Sequence, residues 1–135
     1  MNTAEIVYNG ELRTTSTHVR SGTVIETDAP VDNQGKGERF SPTDLVASAL
    51  GSCMISIMGI KARDNNWKIE GTKVAIVKHM GTEPRRIVQI DVTIDFPAGH
   101  DLDDKAKTIL ERAALTCPVA KSLHPDLVQN VTFNW

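Results

Sequence analysis

Cysteine is scarce in this 135-residue chain: there are two, Cys53 and Cys117, far apart and in no CxxC pair. Four histidines (His18, His79, His100, His124) are scattered singly, so the ligand spacing of a zinc site is missing. Neither sign of charge is in excess. The 15 Lys and Arg are interspersed with 17 Asp and Glu, which leaves no basic footprint for nucleic acid. The opening MNTAEIVYNGELR has neither the basic n-region nor the apolar h-region of a secretory signal, so a cytoplasmic, thiol-reducing setting is expected. Repeats, low-complexity tracts and linkers are absent too. At this length one domain, 1–135, is expected, and the apolar share of 40% with 24% charged residues is that of a soluble globular protein. The longest uncharged run, Leu45 to Ile60, is 16 residues, short of the roughly 20 that a membrane span needs.

That run is what the chain does have. From Phe40 to Lys61 (FSPTDLVASALGSCMISIMGIK) apolar residues fall on every side of a 3.6-residue period, and a helix apolar all round is a buried helix. Ser41 can cap it, Pro42 suits the first helical position, and Asp44 completes a capping-box pattern. Lys61 and Arg63 favour the far end, where Asp64-Asn65-Asn66 stops the helix. Cys53 is expected buried at its midpoint. Small residues (Ser48, Gly51, Ser52, Ser56, Gly59) allow another backbone to approach closely.

On either side of this helix the pattern is mainly of strands. Thr3 to Tyr8, a hairpin turn at Asn9-Gly10, Glu11 to Val19, a turn at Arg20-Ser21-Gly22 and Thr23 to Glu26 predict an N-terminal antiparallel meander ending at Asp28-Ala29-Pro30. A polar, glycine-rich loop follows and completes an N-terminal part, 1–40, ahead of a helix-containing core, 41–135. After the helix, Trp67 to Met80 reads as a long strand, Gly81 to Pro84 as a turn and Arg86 to Phe96 as its partner. In that partner Val88, Ile90, Val92, Ile94 and Phe96 share one buried face. Asp101 to Leu115 is an amphipathic helix capped by Asp101, with Leu102, Ala106, Ile109, Leu110 and Ala113 inside. Val119 to Leu123 is expected as a short helix and Val131 to Phe133 as a terminal strand. The fold class is α+β.

The chemistry gathers at the cysteines. Pro118 at a first helical position puts Cys117 at the N-cap, where free amides and the helix dipole lower a thiol pKa. Cys53 lies mid-helix, so its ionisation needs a nearby cation; Arg39, Arg13 and Arg20 are the candidates. Both cysteines can also be read as small hydrophobes of a core, with the apolar helix serving a non-enzymatic binding protein or a structural dimer.

Asp44 and Cys53 are nine positions apart, which is about 13.5 Å along a helix axis and roughly opposite in angle. A carboxylate that orients an arginine at Cys53 is therefore expected from a second, antiparallel copy. An uncharged helix among so few residues also wants the apolar cover of an intertwined homodimer.

Ser41-Pro42-Thr43-Asp44-Leu45, then Ala49-Leu50-Gly51-Ser52-Cys53, and later Cys117-Pro118-Val119 followed by Ala120 to Leu123, resemble the two signatures of the OsmC/Ohr family. The resemblance spans essentially the whole chain. It implies an OsmC/Ohr-like fold and reduction of organic hydroperoxides by an intertwined homodimer, with a dithiol reductant, often a protein-bound lipoyl group, and no cofactor or metal. Carried over by position, Cys53 is the peroxidatic cysteine and Cys117 the resolving one. Arg13 matches the family's arginine, with Arg39 as rival. The family's glutamate position falls on Thr43, with Asp44 as the nearest carboxylate.

Overall fold

Three strands rich in threonine and β-branched residues, β1 (Ala4–Gly10), β2 (Arg13–His18) and β3 (Val24–Asp28), form an antiparallel meander in the order β1-β2-β3. The computed structural model describes residues 1–135 as two compact units, Met1–Val46, which holds this meander, and Ala47–Trp135. The first hairpin does not reverse at Asn9-Gly10. It turns at Glu11-Leu12, both left-handed (φ 54° and 63°), and the register slips between Tyr8 and Gly10. Side chains hold that choice: the Asn9 amide donates to the Thr15 hydroxyl (2.6 Å), and the Leu12 N–H donates to the Tyr8 hydroxyl (3.3 Å). β3 also runs two residues further than expected, because Thr27 and Asp28 pair with Thr14 and Arg13 across the ladder.

Helix α1 (Pro42–Asp64) starts as the sequence predicts. The Ser41 N–H donates to Asp44 Oδ2 (3.0 Å) and the Asp44 N–H to Ser41 Oγ (3.1 Å), a reciprocal capping box. Its burial differs from expectation. Ala47, Leu50, Gly51, Met54, Met58 and Ala62 face the core, while Val46 and Ile60 on the other side stay 38% and 47% exposed and Cys53 is only half-buried. One chain supplies cover for one face alone. With its polar ends counted, the 23-residue helix is long and apolar enough to cross a membrane. Its inner stripe packs into the core of the second unit.

The second unit pairs β4 (Lys73–Thr82) antiparallel with β5 (Arg85–Asp95), which pairs in parallel with β6 (Val128–Asn134). β4 does not begin at Trp67, since Ile69 to Thr72 make a turn through Gly71 at φ 91°. A bulge opposite His79 and Met80 shifts the β5 register, so Ile87 is buried and Val88 half-buried; beyond it Ile90, Val92, Ile94 and Phe96 line the core as expected. Gly51 lets α1 lie close on β4, because a β-carbon there would come within 2.7 Å of Ile76 and 3.0 Å of Val74.

Helix α2 (Asp104–Leu115) is capped by Asp103, whose Oδ1 accepts from the Ala106 N–H (2.8 Å), and not by Asp101. Ala106, Leu110, Ala113 and Ala114 are its buried side; Leu102 is buried ahead of it and Ile109 only half so. A five-residue helix α3 (Pro118–Ser122) precedes β6. That strand is longer than expected, tied by Asn130 to Asp91 (3.1 Å) and by Asn134 to Asp95 (2.7 Å).

Candidate active site

Between α2 and α3 the chain bends once, and the bend is Cys117. The Thr116 and Cys117 N–H groups donate to the Ala113 and Ala114 carbonyls (both 3.3 Å), which closes α2. Pro118 opens α3 at its first position and Cys117 is the N-cap, its sulfur accepting from the Ala120 N–H at 3.4 Å. This is the helix start that the sequence predicts. The acidity expected of it does not follow. Burial pushes the fully buried Cys117 thiol above its ordinary pKa, and the Ala120 N–H offsets this only in part. A five-residue helix has few aligned peptides, so desolvation outweighs its dipole.

The neighbouring Cys53 thiol pushes Cys117 the same way, by hydrogen bonding and by charge. These two residues, far apart in sequence, are thus side by side in the second unit. Both are free thiols, and Cys53 packs against the cluster that holds Cys117, Leu50 and Met54. A half-buried thiol next to a fully buried one leaves the outer sulfur within reach of a solvent-borne oxidant and the inner sulfur beside it.

In the first unit, Arg13 and Asp28 stand opposite one another in the β2–β3 register. Arg13 Nε donates to Asp28 Oδ1 (2.7 Å) and Nη2 to Oδ2 (2.8 Å), a two-bond fork on a carboxylate with no solvent exposure. Nη2 also meets Glu38 Oε1 (3.1 Å), and the Glu38 N–H donates to Asp28 Oδ2 (3.1 Å). The Arg13 hydrogen bond, against the pull of burial, holds the Asp28 carboxyl at about 2, and Asp28 in turn raises the arginine's pKa. Nη1 is left outside these bonds.

Arg39 is engaged as well, by Glu26 (Nε to Oε1, 3.1 Å) and by the Glu38 carbonyl (3.2 Å). Arg20 lies exposed at the β2–β3 turn. Asp44 is in the capping box. The carboxylate that fixes Arg13 is therefore Asp28, at the end of the meander and outside the candidates that the sequence offers. Its signal was register: once Thr14 faces Thr27, Arg13 must face Asp28. No group of three or more His, Cys, Asp or Glu is arranged to hold a metal ion.

Residues 35–131 match the model of the family described as OsmC-like protein. No curated protein matches the sequence. Among solved structures, a provisionally named osmotic stress induced and detoxification response protein from Psychrobacter arcticus is 51% identical over 99% of this chain and 96% of its own, with a TM-score of 0.94. An organic hydroperoxide resistance protein OsmC from Legionella pneumophila shares the fold at 12% identity, covering 100% of this chain and 98% of its own (TM-score 0.76). One from Elizabethkingia anophelis does so at 15% identity, 99% and 96% coverage and a TM-score of 0.74. With a family signature across well over half its length and a relative of half-identical sequence over nearly all of it, the chain belongs to the OsmC-like protein family.

Proposed function

We propose that this protein reduces organic hydroperoxides with Cys53 and Cys117 as a redox pair. The observation that carries the reading is the adjacency of a half-buried Cys53 and a fully buried Cys117, whose thiol burial pushes up. Two proteins of the same fold are named organic hydroperoxide resistance proteins.

The Cys53 thiolate attacks the distal peroxide oxygen; the S–O bond forms, the O–O bond breaks, and the alkoxide leaves as an alcohol on taking a proton. Cys53 is then a sulfenic acid. The Cys117 sulfur attacks it, the S–S bond forms, and the S–O bond breaks. The proton that burial keeps on Cys117 leaves with the departing hydroxide as water. A dithiol reductant, such as a lipoyl protein, returns two electrons and reopens the disulfide.

Arg13 is the guanidinium we assign to steadying the thiolate, with Asp28 and Glu38 fixing its orientation; Arg39, held by Glu26, is the alternative. Asp44 serves through the helix cap. The apolar side chains left on the surface, Ile6, Tyr8, Val24 and Ile25 in the meander and Val46 and Ile60 on α1, support an obligate homodimer that covers them. This chemistry calls for a thiol-reducing compartment, the cytoplasm.

Steady-state reduction of cumene hydroperoxide with dihydrolipoamide as electron donor tests the reading. Turnover lost in Cys53→Ser is the expected result. Absence of turnover with any peroxide or dithiol sinks it in favour of a binding protein on the same scaffold. Light scattering should find a dimer at micromolar concentration.

A further inference from the structure

At the C-terminal end of α1, within the second unit, a cavity of about 420 Å³ opens to solvent. Its floor is apolar: Ala62 and Ile69 are buried, and Ile55 packs half-buried beside them. The facing wall, residues 66–72, is tied down at both ends. The Trp67 N–H donates to the Ala62 carbonyl (2.8 Å) and the Asn66 N–H to the Arg63 carbonyl (3.2 Å), ending the helix with Asn66 left-handed at φ 57°. The Thr72 N–H (3.1 Å) and hydroxyl (2.5 Å) both donate to the Ile69 carbonyl. The cavity is thus formed in advance of any ligand, and its size lies within the range of small-molecule sites.

Two further features give it a chemical preference. Gly59 lines it within the last two turns of α1, yet a β-carbon there would meet nothing within 4 Å. Close packing within the chain does not explain a glycine that weakens the helix relative to alanine. Its effect is to leave room. On the rim stand Arg63 and Lys68, both exposed and neither in an ion pair, against the single carboxylate of Glu70.

We infer that this cavity binds a small carboxylate with an apolar alkyl or aryl body. The body covers Ala62 and Ile69 beside the Trp67 ring, and the carboxylate meets Arg63 and Lys68, the arginine offering its planar fork. The negative end of the α1 dipole works against an anion here, but it amounts to roughly half a charge, against the one net positive charge that Arg63 and Lys68 leave after Glu70 is counted. The site is independent of the cysteine chemistry and stands or falls without it.

The test is a titration of the intact protein with octanoate, followed by the indole N–H resonance of Trp67. Trp135, stacked on Phe96 at 3.8 Å, is the internal reference. The Trp67 signal should shift saturably. Octanol, which has the body without the charge, and acetate, which has the charge without the body, should each bind at least about tenfold more weakly. Arg63→Gln with Lys68→Gln should weaken octanoate by a similar factor, and Gly59→Leu should abolish the shift. The charge variants lie on the surface and keep the fold, which circular dichroism verifies. Octanol binding as tightly as octanoate, an unchanged affinity in the double charge variant, or no saturation below about 10 mM would each overturn the inference.

Discussion

Arg13 clasps Asp28 through two hydrogen bonds of 2.7 and 2.8 Å from directly opposite positions on β2 and β3, and the carboxylate has no solvent exposure. A guanidinium held in this way is fixed in direction. The carboxylate, once inside, depends on the arginine to remain charged.

Acid should loosen the protein in a window set by that pair. Asp28 is held at about 2, below its ordinary 3.8, by the Arg13 hydrogen bond first, while burial opposes it. The unfolded chain therefore binds this proton more tightly than the folded one. The stability involved is present above about pH 4 and lost as pH falls from there through about 2. Asp91, also at about 2 through His79, Gln89 and Asn130, acts over the same range. Thermal unfolding followed from pH 6 to pH 2 checks this. Asp28→Asn should lower Tm at pH 7 by roughly 5–10 °C and flatten the acid dependence; a profile identical to the parent's would count against the pair.

Mild peroxide should produce an intramolecular Cys53–Cys117 disulfide, detected by mass spectrometry of the non-reduced protein. Cys117→Ser should allow one attack and then accumulate sulfinic and sulfonic acid at Cys53, since nothing condenses with the sulfenic acid. Equal partial losses of activity in Cys53→Ser and Cys117→Ser would point to packing roles for both.

Two glycines of α1 should respond oppositely to added volume. At Gly51 the first carbon already meets Ile76 at 2.7 Å and Val74 at 3.0 Å, so Gly51→Val should cost about 1–3 kcal/mol. That exceeds the helix-propensity gain, which is below about 1 kcal/mol. At Gly59 there is open space, and Gly59→Ala should gain about 0.5–1 kcal/mol. Urea unfolding of both variants decides it, and a stabilised Gly51→Val would mean that α1 does not lie against β4 as described.

Substrate preference should follow the side chains around Cys53. Leu50, Met54 and Ile57 on its helix offer neither charge nor amide. Apolar cover is worth about 25 cal/mol for each Å², which hydrogen peroxide cannot use. The kcat/KM for cumene hydroperoxide should exceed that for hydrogen peroxide by at least about tenfold, roughly 1.4 kcal/mol in the transition state. Competition kinetics showing no preference would reject an organic substrate even with Cys53 reactive.

What the sequence by itself determined is whatever near neighbours decide. The Ser41–Asp44 capping box, the Cys117–Pro118 helix start, the apolar stripe of α2 and the alternation from Ile90 to Phe96 each rest on residues within a turn or two of one another. Chain-distant contacts decided the rest. The bulges at Asn9 and Val88 moved a hairpin turn and exchanged Val88 for Ile87 in the core, because register depends on both strands at once. Register also gave Arg13 its partner in Asp28. The nearness of Cys53 to Cys117 and the burial that overrides a helix N-cap exist only where α1, α2 and α3 meet in one core. Hydropathy placed apolar residues on all sides of α1, but one chain has cover for a single face, and the packing of the core chose which.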